Sequence, residues 1–166
     1  MLRQARMTDA AAMGFIEVET WQAAYAGILD AGSLIAMSTA RKARQWEAEM
    51  SHGSEGLWVW DDLDQGGVLG FGHCGPQRMP SLAYDGEITM LYVLPDSQGQ
   101  GIGRHLLHGM LADLKRRGMA SALVWVLEAN PSRFFYSHLG GKLVLHRTIT
   151  FGASQLNALG YGWSGL

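Results

Sequence analysis

An α/β fold with a mixed central β-sheet, flanked by helices on both faces, is predicted by three features of the sequence. Strand-like and helical segments follow one another in the order β-α-α-β-β-β-α-β-α-β-β. Residues 122–127 form a short apolar run that is typical of a strand buried on both faces. One segment carries apolar residues at every fourth position, as on the buried face of a helix: Ile102, Leu106, Met110 and Leu114. The chain length of 166 residues predicts a single domain, 1–166.

The N-terminal elements are predicted from local residue types. Residues 2–7 alternate enough to form a strand, and Thr8-Asp9 has the composition of a helix N-cap and acidic first turn. The helix that follows is expected to be broken by Gly27 and by the turn-forming group of residues 30–33. A second helix is predicted over residues 38–50.

The rest of the chain supplies most of the predicted sheet. Three strands are expected, at residues 57–60, 68–73 and 87–94. Gly66-Gly67 is a hairpin signal between the first two of them. Pro76 and Gly86 mark a longer loop before the third of these strands. A helix, a strand, a short helix and two strands then complete the chain: 101–117, 122–127, 131–139, 142–151 and 156–163.

Composition excludes several classes of protein. Thirteen Lys and Arg against fifteen Asp and Glu give a net charge of -2, so the positive surface of a nucleic-acid-binding protein is lacking. The apolar run 122–127 is far shorter than the roughly 18 residues of a membrane span, and we expect no membrane association. Residues 1–6 lack the apolar run of a signal peptide, and the single Cys74 excludes an internal disulfide. These features predict a cytoplasmic protein.

A glycine-rich turn joins a predicted strand to the amphipathic helix, with the sequence Gln98-Gly99-Gln100-Gly101-Ile102-Gly103. Glycines permit a tight turn and let backbone N–H groups approach an anion, and the helix dipole favours negative charge there. The turn therefore predicts a pyrophosphate site, although a glycine-rich turn without a ligand is an alternative interpretation. A P-loop is excluded because Gly103 is followed by Arg104-His105. A Rossmann fingerprint is excluded because the glycines stand at positions 1, 3 and 5 instead of 1, 3 and 6.

These residues resemble the GNAT superfamily of N-acetyltransferases. The superfamily signature Gln/Arg-x-x-Gly-x-Gly/Ala is matched by Gln98, Gly101 and Gly103, and residues 87–95 resemble the strand that leads into it. Residues 21–29 are similar to a subset of small-molecule acetyltransferases in the superfamily. A downstream pattern, Asn-x-x-Ala-x-x-Phe-Tyr-x-x-x-Gly, is fitted with one residue of freedom by Asn130, Phe135, Tyr136, Leu139 and Gly140.

The sequence departs from the superfamily pattern at three positions. Arg133 stands where alanine is common, and Gly141 stands where an aromatic residue usually follows the glycine. Some members carry a catalytic glutamate five residues before the asparagine, and Trp125 occupies that position here. The identity of the general base is therefore not transferred directly from those members.

The resemblance implies an enzyme that uses acetyl-CoA as co-substrate, requires no metal, and transfers the acetyl group directly to a primary amine in a ternary complex. Backbone groups of Leu91, Tyr92 and Val93 are implied to bind pantetheine and the thioester oxygen. Asn130 is implied to bond the pantetheine arm, and it could instead be only an N-cap. The pyrophosphate is implied to lie on the turn formed by Gln98, Gly99, Gln100, Gly101, Ile102, Gly103 and Arg104.

Acetyl transfer to an amine needs proton transfer at two places. An ammonium with a pKa near 10 must lose a proton before it attacks, and the departing thiolate benefits from a proton donor. The resemblance places Tyr136 beside the sulfur as that donor, and the alternative for Tyr136 is a core position. Glu87 is the favoured base, with Glu128 and a chain of water molecules as alternatives.

Other residues support weaker hypotheses. His105 and His108 lie at i and i+3 on one helix, but no third metal ligand accompanies them. Cys74 follows His73 directly, and neighbouring strand residues point to opposite faces, so a catalytic dyad is not expected. Three aromatic residues either line the acceptor pocket or belong to the core: Trp21, Tyr25 and Trp46.

The expected acceptor is the primary amine of a small molecule. A protein N-terminus or a lysine is the alternative acceptor, and a catalytically silent CoA-binding sensor is the alternative of a different class. The acceptor is expected to be chosen by the segments 20–55 and 76–86. A homodimer is compatible with the sequence.

Overall fold

The computed structural model describes residues 1–64, 66–79, 82–151 and 154–166. Its strands are β1 (Leu2–Gln4), β2 (Leu57–Asp61), β3 (Val68–Pro76), β4 (Gly86–Val93), β5 (Ser121–Leu127), β6 (Lys142–Phe151) and β7 (Ser154–Ser164). Its α-helices are α1 (Ala10–Tyr25), α2 (Ala31–Ile35), α3 (Thr39–Ser51), α4 (Ile102–Arg116) and α5 (Arg133–His138). None of the described helices has the length and apolar character that a membrane crossing demands.

The strands form one seven-stranded sheet in the order β1-β2-β3-β4-β5-β7-β6. The β4–β5 pair is parallel, with a register that runs from Gly86 opposite Ala122 to Ile88 opposite Val124. The β1–β2, β2–β3, β5–β7 and β6–β7 pairs are antiparallel. A mixed sheet flanked by helices is the architecture that the sequence predicts, and the predicted fold class is confirmed.

The start of the chain differs from the prediction. β1 ends at Gln4, and Thr8 lies in a single 3-10 turn instead of capping a helix. The reason is the carboxylate of Asp9, which accepts hydrogen bonds from Nη1 and Nη2 of Arg3 at 2.7 and 2.9 Å and from the backbone N–H of Arg6 at 2.7 Å. A bidentate ion pair between Arg3 and Asp9 fixes this turn. Local residue types did not predict the pair.

The segment predicted to end the first helix begins another one. The carboxylate of Asp30 accepts hydrogen bonds from the backbone N–H and the hydroxyl of Ser33, at 2.8 and 3.0 Å, and so caps α2. The hairpin prediction is confirmed, because β2 and β3 pair in antiparallel fashion around Gly66 and Gly67. Both glycines have positive φ values, +76° and +108°, as such a turn requires.

The chain divides into two compact units, which are described separately. Unit 1 comprises Met1–His73 and Met90–Met110. Trp46 belongs to its core, because the side chain is 4% exposed and its ring meets Phe71 edge-on at 5.2 Å. The indole N–H donates to Oε2 of Glu17 at 3.0 Å, and Nζ of Lys42 lies 2.7 Å from Oε1 of the same carboxylate. The core interpretation is therefore the correct one for Trp46.

Unit 2 comprises Cys74–Thr89 and Leu111–Leu166. Asp113, fully buried on α4, pairs with Arg116 and lies 3.6 Å from Nη1 of Arg117. Arg116 and Arg117 at the end of α4 therefore form a structural charge cluster with Asp113. The Cys74 thiol lies 3.6 Å from Oδ2 of Asp113, and burial together with that carboxylate raises the pKa of the thiol to about 12. Cys74 is therefore not a nucleophile.

Candidate active site

The glycine turn of unit 1 leads directly into α4. Gly99 and Gly101 have φ values of +76° and +83°, a left-handed conformation that residues with a Cβ rarely adopt. α4 begins at Ile102, so the first backbone N–H groups of the helix have no acceptor within the helix. Gly99 is exposed and Gly101 is half-buried, and Arg104 in the first helical turn is exposed. A set of free N–H groups, a helix dipole and a cation fits the pyrophosphate of acetyl-CoA.

Gln98 fixes the turn to the end of β4. Its side-chain amide donates to the carbonyl of Val93 at 3.1 Å. The hydroxyl of Thr20 donates to the same carbonyl at 3.4 Å. The Val93 carbonyl is therefore hydrogen-bonded within the protein, and the contact of the Gln98 amide supports the turn. The sequence predicted Gln98 and Val93 only as cofactor-binding residues, and the hydrogen bond between them was not predicted.

An aromatic cluster adjoins the end of β4 in unit 1. The indole N–H of Trp21 donates to the hydroxyl of Tyr92 at 3.0 Å, and the Tyr92 ring packs against Phe71 with 5.4 Å between centroids. Trp21 and Tyr25 also meet edge-on at 4.9 Å. Trp21, Tyr25, Leu91 and Tyr92 are all half-buried, so two of the three aromatic residues considered for the acceptor pocket, Trp21 and Tyr25, adjoin the end of β4.

Glu87 in unit 2 is held by Arg78. The Glu87 side chain is 3% exposed, and its Oε1 lies 2.6 Å from Nη2 of Arg78. Its Oε2 accepts from Nε and from the backbone N–H of Arg78, at 3.1 and 3.2 Å. The hydrogen bond with Glu87 raises the pKa of the Arg78 guanidinium. A carboxylate has about four lone-pair positions, and these bonds occupy three of them, so Oε1 keeps one acceptor position.

Arg78 is a functional candidate that sequence reasoning missed. It lies between Pro76 and Gly86, in the predicted acceptor loop, where no motif distinguishes it from other surface arginines. The carboxylate of Glu128, the alternative base, accepts from the amide of Asn157 at 3.1 Å in an exposed position. Residues 80 and 81 of the acceptor loop lie outside the described part of the chain.

Tyr136 and Asn130 lie at the two ends of one segment of unit 2. Tyr136 is 7% exposed on α5, and its ring contacts Phe135, Tyr161 and Trp163 with centroid distances of 5.2, 6.3 and 6.5 Å. Asn130 accepts a hydrogen bond from the backbone N–H of Ser132 at 2.9 Å. Asn130 therefore shapes the turn before α5, but the N-cap of that helix is Ser132 and not Asn130. The Tyr136 ring is packed within an aromatic cluster.

Of the two histidines of α4, His105 contacts neighbouring groups of the protein. Nδ1 of His105 lies 2.9 Å from the carbonyl of Gly101, and the His105 ring stacks on Trp60 at 4.9 Å. Within the described ranges, no three His, Cys, Asp or Glu side chains come close enough to hold a metal ion.

The predicted site residues are divided between the two units. The glycine turn and the end of β4 lie in unit 1, whereas Glu87, Asn130 and Tyr136 lie in unit 2.

Comparison with known proteins connects these features to a family. The sequence profile of the acetyltransferase (GNAT) family matches residues 16–140. Over 165 residues the chain is 31% identical to the uncharacterized N-acetyltransferase YuaI of Bacillus subtilis (strain 168), and the match covers 99% of this chain and 93% of that protein.

Two solved structures share the fold. The ribosomal-protein-alanine N-acetyltransferase from Brucella melitensis matches with a TM-score of 0.77 at 18% identity, over 99% of each chain. The structure of yncA from Salmonella typhimurium with its cofactor acetyl-CoA matches with a TM-score of 0.72 at 20% identity, over 99% of this chain and 92% of that chain. The family profile and the sequence relative together show that this chain belongs to the GNAT acetyltransferase family and is an acetyl-CoA-dependent N-acetyltransferase.

Proposed function

We propose that the protein transfers the acetyl group of acetyl-CoA to the primary amine of a small molecule, by direct attack in a ternary complex. The observation that carries the proposal is the turn of Gly99 and Gly101 at the start of α4, whose geometry suits a pyrophosphate. The similarity of residues 21–29 to small-molecule acetyltransferases supports the acceptor class. A protein N-terminus is the second candidate acceptor, since the Brucella melitensis protein is by name a ribosomal-protein-alanine N-acetyltransferase.

The proposed division of labour assigns binding to one set of residues and proton transfer to another. Residues 98–104 bind the pyrophosphate, while backbone groups of Leu91–Val93 and the side chain of Asn130 hold the pantetheine arm. Acetyl-CoA, when bound, supplies a thioester that an uncharged amine can attack. Glu87 accepts the proton of the ammonium on the acceptor position of Oε1 that Arg78 leaves unused. Tyr136 donates a proton to the departing thiolate.

Thiol release tests the proposal directly. Incubation of the protein with acetyl-CoA and a panel of small primary amines is expected to release free CoA with at least one amine, in amounts equal to the acetylated amine formed. Peptides with free N-termini serve as the comparison panel. Release with peptides alone would move the acceptor to proteins, and CoA binding without release on either panel would indicate the sensor function.

Replacement of Tyr136 by Phe is expected to lower kcat by about 10²-fold, because a proton donor to the thiolate contributes that much to the chemical step. The dissociation constant of acetyl-CoA is expected to stay nearly the same, since the ring and its packing remain. Tyr161→Phe removes a hydroxyl from a ring in the same aromatic cluster and is the matched control. Equal rates for the two variants in single-turnover experiments would reduce Tyr136 to a packing residue.

A further inference from the structure

Three buried hydrogen-bond donors of unit 2 have no acceptor among the described residues: Nε2 of Gln77, Nε1 of Trp125 and Nε of Arg147. A donor that is buried without an acceptor has lost its bonds to water and gained nothing in return. Such groups are rare in folded proteins, and three in one unit require an explanation. Neither the fold nor the proposed proton transfers use them.

Contacts link Trp125 and Arg147 to each other directly and link both to Gln77 through Met79, and we call these three residues the donor cluster (Gln77, Trp125, Arg147). The guanidinium carbon of Arg147 lies 4.1 Å from the centre of the Trp125 ring. Nη1 of Arg147 is 3.0 Å from the sulfur of Met79, and Oε1 of Gln77 accepts from the backbone N–H of Met79, also at 3.0 Å. Met79 therefore joins Gln77 to the stacked pair.

The sheet is built so that the stacked pair can form. Trp125 on β5 faces Gly160 on β7, and Gly160 faces Leu145 on β6. A Cβ at Gly160 would lie 3.3 Å from the Trp125 ring and 3.0 Å from Cβ of Leu145. Because Gly160 has no side chain, the Trp125 ring can extend across β7. Arg147 lies two residues beyond Leu145, on the same face of β6, and covers that ring.

The positive charge of Arg147 is not neutralised within the cluster. No carboxylate pairs with Arg147 in the described part of the chain, whereas Arg78 forms an ion pair with Glu87. The sulfur of Met79, which contacts Nη1, is only a weak acceptor. Met79 is 37% exposed, so its side chain can be displaced by a better acceptor.

We propose that the donor cluster binds a carboxylate group of the acceptor, so that the substrates of this enzyme are small primary amines that also carry a carboxylate. A carboxylate offers about four acceptor positions, and the guanidinium fork can bind two of them side by side. The indole and amide N–H groups supply donors for the remaining positions. The inference rests on the proposed function and names the substrate class of the same site.

The position of the cluster fits this role. Gln77 and Met79 flank Arg78, whose guanidinium holds the proposed base Glu87. One short segment, residues 77–79, therefore connects carboxylate binding to the base. Trp125 stands where some superfamily members carry a catalytic glutamate, and in this chain that position contributes a donor for substrate binding instead of a base.

The test compares pairs of amines that differ only in the carboxylate, namely an amino acid and its carboxamide. The wild-type enzyme is expected to favour the carboxylate by at least about 10²-fold in kcat/KM, because buried donors are left unpaired by the amide. Arg147→Gln is expected to lower kcat/KM for the carboxylate substrate by about 10²-fold and to leave kcat/KM for the carboxamide nearly unchanged. Trp125→Phe keeps an aromatic ring and removes one donor, and it is expected to lower kcat/KM for the carboxylate substrate by about 10-fold.

Arg6→Gln provides the matched control, since it removes the same charge from an exposed position near the N-terminus, outside the segments expected to choose the acceptor, and is expected to leave both rates unchanged. Arg147→Lys keeps the charge without the fork and is expected to fall between Arg147→Gln and wild type. Thermal unfolding shows whether each variant is folded before its rates are compared. A variant that fails to fold is replaced by Gln77→Glu, which introduces repulsion for a carboxylate and is expected to lower its kcat/KM by about 10-fold or more.

The outcomes separate this inference from the proposed function. Equal rates for amino acid and carboxamide, unaffected by Arg147→Gln, would overturn the inference and leave acetyl transfer standing. A stronger preference for a phosphonate analogue would overturn the assignment of a carboxylate. If no amine releases CoA, the proposed function fails, and calorimetry with the amino acids decides the inference separately. Binding that Arg147→Gln abolishes supports it, and undetectable binding to the wild-type protein overturns it.

Discussion

Gly101→Glu is expected to abolish the binding of acetyl-CoA, with a dissociation constant raised by about 10³-fold or more. Two effects add up at this position. The backbone of Gly101 has a φ of +83°, which costs a residue with a Cβ about 1–2 kcal/mol. The new carboxylate would also stand at the helix start proposed to bind the pyrophosphate, and juxtaposed like charges cost several kcal/mol. Calorimetric titration with acetyl-CoA measures the loss.

Gly118→Glu is the matched control for this substitution. Gly118 follows the C-terminal end of α4, has a φ of +84°, and is exposed. It therefore imposes the same backbone strain and the same added charge, but away from the helix N-terminus. The control is expected to bind acetyl-CoA normally. An unchanged affinity in folded Gly101→Glu would mean that the turn does not bind the pyrophosphate, and equal losses in both variants would indicate strain alone.

Glu87→Gln is expected to lower kcat/KM by about 10²- to 10⁴-fold at pH 7, because it keeps the shape of the side chain and removes the proton acceptor. Part of the activity is expected to return at alkaline pH. The amine has a pKa near 10, so as the pH rises toward that value a growing fraction of it arrives without the proton that Glu87 would remove. A pH profile of kcat/KM between neutral and alkaline pH measures both effects.

The ion pair with Arg78 provides the control for Glu87. If the carboxylate serves only to hold the loop through Arg78, then Arg78→Gln is expected to cause the same loss as Glu87→Gln, and the loss is uniform at every pH. If Glu87 is the base, Arg78→Gln costs much less, because the carboxylate is still present. Loss of activity in neither variant would transfer the role of base to Glu128 or to a chain of water molecules.

The strand–turn–helix from Glu87 to Arg116 was predictable because its signals are local. Apolar residues at every fourth position define the buried face of α4, and a helix needs only its own sequence to show that period. Gly99 and Gly101 mark the turn, since each occupies a left-handed backbone conformation. The family followed from the same residues, and the profile match over 16–140 confirms it.

The roles of the proposed base and acid were less accessible to sequence reasoning. The sequence does not indicate that Arg78 forms three hydrogen bonds with Glu87, because both the partner and the geometry depend on tertiary contacts of the segment before β4. Trp46 was open to two interpretations for the same reason. Its hydrogen bond to Glu17 and its contact with Phe71 join residues far apart in the chain, and helical period alone does not name a partner.

The sequence by itself therefore determined the α/β class, the family and the use of acetyl-CoA, and it predicted a phosphate-binding turn, since each depends on residue types at short spacing. Only the tertiary structure decided which side chains meet across strands. Trp125 and Arg147 are 22 residues apart and come together because β7 lies between β5 and β6 and presents Gly160 at their crossing. Strand order and register are long-range properties of the folded chain, and they decide which donors are left without acceptors.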